Sequence, residues 1–505
     1  MKKLIKQIGS LVMALPLLLM IGSCQKFLDR KPLTATLDDL NQGGLEGQIF
    51  GLYSNLRSSA GFTTIPWLGM HDFRSDDSEK GSDPSDGAEW VAPFDRYNYV
   101  KDLWASNTYW DDHYTLINLA NTAIQTADSL KLTDAASLTN VAEARFFRAF
   151  SYFDLVRSYG EVPKINFRVY EAAQANIAKS TAAQIYALID EDLQFAAINL
   201  PINWVVGSGN KYPGRLTSGA AKTLHAKAHI FRGNWAPSLA LCNQVMASGY
   251  SLFSSYYGIF KDAGENCSES IFEIQAYVSP NGAINNGCAY ATTQGVRGSN
   301  ASGWDLGWGW NTPTDNLVSA YEAGDPRKSS TILFSGQSDD PATGGYGRIL
   351  PNSTFGTPAG PLPRKYWNKK IYADPAYRAT TGLLNNPSWI NKRVFRYADV
   401  VLMAAECNNE LGDGPLAASF LKQVRDRVSM PSVAFVDKVQ MRDAIKHERR
   451  VEFGMEGERF FDLVRWNDAV TVLGPLGYQN KCRYYPIPQP AIDKSGGKLI
   501  QNPEW

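Results

Sequence analysis

The chain has 505 residues, of which 44% are hydrophobic, 12% aromatic and 20% charged, and its 50 basic and 50 acidic side chains cancel. This length is about three times that of a common domain and is enough to bury a large core. A net charge of zero argues against nucleic acid as a partner, because such partners need a basic surface. The 13 tryptophans indicate instead an unusual amount of flat apolar surface.

The first residues have the order of a bacterial export signal. Three lysines within the first six residues precede an apolar stretch over residues 11–21, and Ile-Gly-Ser then leads directly into Cys24. The apolar stretch is too short for a membrane-spanning helix, which needs about 20 apolar residues. We therefore predict a signal peptide over residues 1–23 that is removed from the mature protein.

Small residues that end directly in a cysteine resemble the lipobox of bacterial lipoproteins, in which the thiol is acylated and becomes the new N-terminus. Acyl chains contribute about 0.8 kcal/mol of membrane affinity per buried methylene, so an acylated Cys24 is expected to anchor the protein without spanning the membrane. The polar residues from Cys24 to Leu40 then form a tether. The alternative is an ordinary secretory peptide in which Cys24 merely lies near the cleavage site.

The remaining cysteines predict neither a disulfide framework nor a zinc site. They are odd in number and have no C-x-x-C spacing. A bridge between Cys267 and Cys288 across a loop is an alternative that we do not favour. These cysteines are Cys242, Cys267, Cys288, Cys407 and Cys482.

Helical periodicity dominates both ends of the chain. Two segments, 220–248 and 397–427, each combine alanine-rich helices with a glycine turn, which is the packing pattern of tetratricopeptide repeats. A generic antiparallel helix pair is the alternative. Further helices are predicted over 44–58, 103–130, 135–159 and 181–200.

Two aromatic-rich tracts interrupt this helical pattern. Residues 61–100 hold seven acidic side chains between Asp72 and Glu89, and residues 251–395 are rich in glycine, asparagine and proline with short runs that favour strands. Tracts of this length are usually functional. We predict an all-α-dominated single domain over 41–505, with a helical scaffold at 41–250 and 395–505 and a large irregular, partly β insertion.

Motifs for catalysis and cofactors are not found in the sequence. It has no G-x-S-x-G, phosphate-loop or dinucleotide-binding pattern. His225 and His229 have the spacing of two metal ligands, but Ala226 stands where a zinc protease has glutamate, so we favour a structural role for both. No cofactor or metal is predicted, although the acidic loop leaves open a structural calcium ion. It also leaves open a pair of glycosidase carboxylates.

Charged residues between Glu448 and Arg459 have helical spacing, and we expect them to form salt bridges rather than a site. We predict a single helix from Glu448 to Trp466 that carries them.

Three long motifs resemble the signatures of the SusD/RagB family of Bacteroidetes outer-membrane lipoproteins. They are EARFFRAFSYFDLVRSYGEVP at 143–163, RYADVVLMAAE at 396–406 and ERRVEFGMEGERFFDLVRW at 448–466. YPIP at 485–488 and QNP at 501–503 also fit. Together with Cys24 these motifs span the chain in the order found in the family.

The resemblance implies a helical fold with four tetratricopeptide-like units, a position on the outer face of the outer membrane, and no catalysis. It also implies a partner, a SusC-like TonB-dependent transporter, over which the lipoprotein acts as a lid that captures glycan. Peptide or glycopeptide cargo is an alternative within the same family, and a glycoside hydrolase is an alternative outside it.

Ligand contacts are expected in the two aromatic-rich tracts. A sugar ring has an apolar C–H face that an exposed aromatic ring can cover and hydroxyls that polar side chains can bind. The alternative is that the large rings anchor the loops to the scaffold. The predicted aromatic contacts are Trp90, Tyr290, Trp304, Trp308 and Trp310, and the predicted polar contacts are Asp72, Arg74, Asp76 and Arg297.

Overall fold

A computed structural model describes residues 43–505 except for 207–208, 211, 299–302, 358–359 and 383–387. The predicted signal peptide, Cys24 and the tether lie outside the described residues. Residues 49–505 form one compact unit. The first unit, residues 1–48, is described only from residue 43, one residue before the first helix begins.

Helices form most of the described chain. The longer ones are α1 (Gly44–Ser58), α2 (Trp104–Leu130), α3 (Ala135–Tyr159), α4 (Ala182–Asn199), α5 (Ser218–Ile230), α6 (Trp235–Met246), α7 (Tyr397–Leu411), α8 (Gly414–Arg427) and α9 (Lys438–Phe453). Shorter helices cover Ala60–Thr63, Ile65–His71, Ala92–Asp95, Ala289–Gln294, Asp315–Ala320, Arg327–Thr331, Pro375–Thr381, Arg459–Arg465, Ala469–Leu473 and Gln489–Lys494. Among the helices in the described part of the chain, none has the length and apolarity needed to cross a bilayer.

The strands are short and pair two by two, always antiparallel, in the order β1–β9, β2–β3, β4–β5, β6–β14, β7–β8, β10–β13 and β11–β12. Their bounds are Ser78–Gly81 (β1), Val162–Pro163 (β2), Lys179–Ser180 (β3), Val205–Val206 (β4), Gly209–Asn210 (β5), Ser270–Ile274 (β6), Tyr277–Val278 (β7), Asn285–Asn286 (β8), Trp310–Pro313 (β9), Ile332–Phe334 (β10), Ser353–Thr357 (β11), Gly360–Pro363 (β12), Tyr366–Asn368 (β13) and Lys392–Arg396 (β14).

Both predicted helical hairpins are present. The α7–α8 turn places Gly412 at φ +97°, a conformation that suits glycine, and Asp413 then caps α8 by accepting a hydrogen bond from Leu416 N at 3.1 Å. Helix α6 packs against α7, so the two hairpins are neighbours although more than 140 residues of sequence separate them. The all-α, tetratricopeptide-like fold predicted from the sequence is confirmed.

The central insertion starts and ends at one ladder. β6 pairs with β14, and the register joins Ile274 to Lys392 and Ser270 to Arg396. The insertion therefore leaves the scaffold after α6 and returns to it immediately before α7.

The early loop is less irregular than predicted. Residues Ile65–His71 form a helix in which every residue is buried, and Leu68 and Met70 are fully buried. The sequence prediction of a loop over 61–100 is wrong for this part, because burial of its apolar side chains outweighs the local glycine and proline signals.

A buried network of charges joins the insertion to the C-terminal helix α9. Glu452 is fully buried and accepts hydrogen bonds from Arg427, Arg396 and Arg327 at 2.5, 2.9 and 3.2 Å. Burial alone would raise the pKa of Glu452, but the three guanidinium groups outweigh it and hold this pKa well below its usual range. Arg327 also binds Glu448 at 2.5 Å. The predicted salt bridges are thus present. Helix α9, however, ends at Phe453, so the prediction of a single helix that reaches Trp466 is wrong.

A second buried polar group lies where the helix Ile65–His71 meets α2 and α3. His113 is fully buried, and its Nε2 lies 3.7 Å from Asp154 Oδ2. Burial lowers the pKa of His113 to about 4, although the Asp154 carboxylate opposes that shift. His113 is therefore neutral in the folded protein at neutral pH.

Glu452→Gln should cost about 3 to 5 kcal/mol of unfolding free energy, because three buried guanidinium groups lose their shared carboxylate. Denaturant unfolding measures this cost. The matched control is Asp426→Asn, which removes an exposed i,i+4 pair with Lys422 and should cost at most about 0.5 kcal/mol. Equal losses in the two variants would contradict the proposed dependence on burial.

Acid should destabilise the protein partly through His113. The unfolded chain takes up a proton near pH 6.5, whereas folded His113 resists protonation until about pH 4, so the free energy of unfolding falls as the pH drops between these values. His113 contributes at most about 1.4 kcal/mol per pH unit to the slope of the unfolding free energy against pH. His113→Leu should flatten the measured slope by that amount, whatever its effect at pH 7. Identical slopes in the two proteins would refute this assignment.

Candidate functional site

The two aromatic-rich tracts meet at the β1–β9 ladder. Gly81 pairs with Trp310, and Ser82 N donates to Gly309 O at 2.6 Å just beyond the end of the ladder. Gly81 has φ +73°, and a Cβ there would lie 2.5 Å from Gly309 O. Only glycine permits this close approach of the two backbones. The early loop and the insertion are thereby held side by side.

Three indole rings form a continuous row beside this ladder. Trp90 lies 5.6 Å from Trp104 in an edge-on arrangement and 5.6 Å from Trp310 in a tilted one. Trp310 is buried, Trp90 is half-buried and Trp104 is 51% exposed. The row thus begins in the core and ends in solvent. Such contacts between rings add about 0.5 to 1.5 kcal/mol beyond area burial and fix the ring orientations.

Trp308 adds a second exposed ring next to the same ladder. It is 46% exposed and lies two residues before Trp310. Between them, Gly309 approaches the side chain of Arg297 so closely that a Cβ would lie 2.8 Å from Arg297 Cβ. We call Trp90, Trp104 and Trp308 the tryptophan face.

Polar groups accompany the tryptophan face. Arg297 forms an ion pair with Asp86 at 2.9 Å and donates to Ser82 Oγ at 2.6 Å, and both charged side chains remain more than one third exposed. Arg364 donates to Ser82 O at 2.6 Å and binds Glu79, which is half exposed. The loops therefore offer apolar ring surface and accessible donors and acceptors together. This combination can bind a sugar ring through its C–H face and its hydroxyls.

Three predicted polar contacts are structural instead. Asp72 is buried and accepts from Asn311 Nδ2 and from a backbone N–H, each at 2.9 Å. Arg74 is fully buried, with its guanidinium 4.0 Å above the Phe460 ring. Asp76 is buried and bound by Arg459 at 2.8 Å. Their prediction as ligand contacts is wrong, because this segment follows a buried helix into the core.

Two predicted aromatic contacts anchor the insertion. Tyr290 is buried with its edge against Trp67 at 5.8 Å. Trp304 is buried, stacks on Tyr372 at 5.8 Å and donates from Nε1 to Ile349 O at 3.1 Å. These rings present almost no surface to a ligand, so the anchoring alternative holds for them. Trp310 also anchors the loops, through its position at the inner end of the indole row.

Sequence reasoning missed Trp104. It is the first residue of α2, and the residues one turn further along, Asn107 and Thr108, are polar and half-buried. The buried face of α2 runs instead through Ala105, Tyr109 and Leu116. A tryptophan off the apolar face of an amphipathic helix is the signal that could have identified it.

Among the described residues, Asp190, His225 and His229 form a group with suitable spacing for a metal ion, and it lies on the helical scaffold. In the acidic loop, Asp83 accepts from Ser85 N at 2.8 Å, and Asp86 pairs with an arginine. No ligand arrangement for calcium is evident among these described contacts.

Two family models match the chain. Residues 70–230 match a family described as starch-binding and associating with the outer membrane. Residues 268–481 match the SusD family. These segments contain the α7–α8 hairpin, helix α5, both strands of the β1–β9 ladder and all three rings of the tryptophan face, whereas helix α6 lies between the two segments.

Individual proteins match over nearly the whole length. SusD-like protein P25 of Formosa agariphila is 25% identical, covering 90% of this chain and 89% of that protein. A solved structure described as a laminarin binding SusD-like protein is also 25% identical, with a TM-score of 0.72 and coverage of 91% and 99%. The surface glycan-binding protein A of Bacteroides thetaiotaomicron, in complex with laminarihexaose, has a TM-score of 0.73, 22% identity and coverage of 91% and 98%.

Proposed function

Because the chain belongs to the SusD/RagB family of glycan-binding proteins, which are not enzymes, we propose that it captures an oligosaccharide or polysaccharide at the cell surface and delivers it to a SusC-like TonB-dependent transporter. The description of the matched family indicates the outer membrane as the location. Attachment through acylated Cys24, outward orientation and the transporter partnership are parts of the proposal.

The tryptophan face is the observation that supports glycan capture. Soluble proteins seldom leave large indole rings exposed, yet Trp104 at the start of α2 and Trp308 beside the β1–β9 ladder are each about half exposed. Rings fixed by packing lose little entropy when a ligand stacks on them. The Arg297–Asp86 pair lies beside them and offers donors and acceptors for ring hydroxyls.

Laminarin is the first cargo to test, since a solved structure that is 25% identical to the chain is described as a laminarin binding SusD-like protein. A peptide or glycopeptide cargo would use the same exposed rings. Titration of one panel that contains soluble polysaccharides, oligosaccharides and peptides separates these outcomes. Binding of peptides alone would show that the cargo is peptide and not glycan. The absence of binding to every polysaccharide would count heavily against glycan as the cargo.

Trp104→Ala and Trp308→Ala should each weaken glycan binding severalfold, since one lost stacking contact is worth about 0.5 to 1.5 kcal/mol. The double variant should bind almost undetectably. Isothermal titration against the best polysaccharide of the panel gives the affinities.

Thermal unfolding should change only slightly in these variants because both rings are about half exposed. Tyr170→Ala, which removes an exposed ring outside the two loops, is the control and should bind normally. Normal binding by the double variant would place the ligand elsewhere. Trp310→Ala is unsuitable as a test, because loss of this buried ring should destabilise the loops.

Cys24→Ala should remove the protein from the outer-membrane fraction, because the Cys24 thiol is the proposed point of lipid attachment. Cell fractionation followed by detection of the protein measures this. The experiment is done in cells that lack the transporter, so that the partner cannot retain the variant. Membrane retention there would contradict the anchor.

Co-purification of the acylated protein with a large β-barrel in mild detergent tests the partnership separately.

A further inference from the structure

Three potential metal ligands converge where α4 packs against α5. Asp190 lies on α4, and His225 and His229 lie one turn apart on α5. One ligand atom from each residue lies within 4.8 Å of the other two. The two imidazole rings are stacked, with centroids 4.6 Å apart and an interplanar angle of 26°. The α4–α5 contact therefore presents two nitrogen ligands and a carboxylate to one point.

A cation already lies at that point. Arg232 Nη2 is 2.7 Å from Asp190 Oδ1 and 3.1 Å from His229 Nδ1. His225 Nε2 is 3.1 Å from the same Asp190 oxygen. Asp190 Oδ1 and His229 Nδ1 thus lie beside a positive charge, and His225 Nε2 contacts the same Asp190 oxygen. A metal ion bound by the three residues would take the place of this guanidinium nitrogen.

We propose that Asp190, His225 and His229 bind a divalent transition-metal ion of the zinc class in competition with Arg232. Imidazole and carboxylate ligands suit Zn²⁺, Cu²⁺ and Ni²⁺ rather than Ca²⁺ or Mg²⁺, which prefer oxygen. Ligand atoms about 2.0–2.2 Å from zinc lie roughly 3.3 Å apart in a tetrahedral site. The His225–Asp190 separation is already close to that value. Three protein ligands leave a fourth position for water.

The surroundings allow the exchange of arginine for metal. The side chains of Asp190, Arg232 and His225 are 33%, 21% and 12% exposed, so solvent reaches the group. Arg232 lies in the turn between α5 and α6, and its guanidinium lies over the Tyr186 ring, 4.7 Å from the ring centre. Because it belongs to neither helix, its long side chain can leave Asp190 without disrupting either one. The alanine at position 226 argues against zinc-protease chemistry but not against a metal.

Bound metal would join α4 to α5 through three coordinate bonds. Since the unfolded chain does not hold these ligands together, binding should stabilise the folded scaffold. The site lies on the helices and not on the loops of the tryptophan face, so its test does not depend on glycan binding.

Titration calorimetry of the chelator-treated, tag-free mature chain with ZnCl2 or NiCl2 alone tests the proposal. A Cys267→Ser background removes the half-buried free thiol that could compete for metal. We expect one ion per chain and a metal-dependent rise in melting temperature. His225→Ala and His229→Ala should each weaken binding at least tenfold, and Arg232→Gln should tighten it severalfold.

His447→Ala is the matched control, because His447 pairs with Glu322 at 3.2 Å without a second histidine, and it should leave metal affinity unchanged. If an alanine variant does not fold, His225→Gln and His229→Gln, which keep a hydrogen-bonding side chain of similar size, replace it. Unaltered affinity in both histidine variants overturns the proposal. Absence of binding in both the parent chain and Arg232→Gln also overturns it.

Discussion

The shared carboxylate of Glu452 is the interaction on which the rest of the structure depends most. Arg427 belongs to the helical scaffold, Arg396 ends the last strand of the insertion, and Arg327 lies deep inside the insertion, yet all three contact this one side chain. Removing several charges from water is costly unless every partner is in place. The network therefore favours a single arrangement in which the insertion is docked on α9, and partial docking would leave buried charges unpaired.

The same C-terminal segment also sets the position of the tryptophan face. Arg450 binds Asp77 at 2.6 Å and Arg459 binds Asp76 at 2.8 Å, immediately before β1 begins. β1 then pairs with β9, which carries Trp310 and so orients the indole row. A continuous series of ion pairs and ladder hydrogen bonds thus connects the family's C-terminal signature to the rings that face solvent. That signature has a structural role, but the geometry of the face depends on it.

The helical scaffold could be predicted from the sequence because its signals are local. Periodicity and a glycine turn defined both hairpins, and α1 and α3 have the predicted bounds. The site could be predicted only in part, because exposure of a loop residue depends on distant partners. Asp76 and Asp86 both lie in the acidic loop, and their local sequences do not distinguish them. Asp76 is buried because it binds Arg459, 383 positions away, whereas Asp86 pairs with an exposed arginine. Composition could not separate anchoring rings from exposed ones within the two aromatic-rich tracts.

Closure of the insertion by β6 and β14 allows the insertion to change in evolution independently of the scaffold. Because both ends of the insertion lie at one ladder beside α7, the segment between them is a cassette whose length and sequence can vary without lengthening any scaffold helix. Selection for a new ligand can then act on this segment while the scaffold stays intact. The constraint on exchange is electrostatic: any replacement must supply an arginine where Arg327 now lies, or Glu448 and Glu452 of α9 each lose a buried counterion.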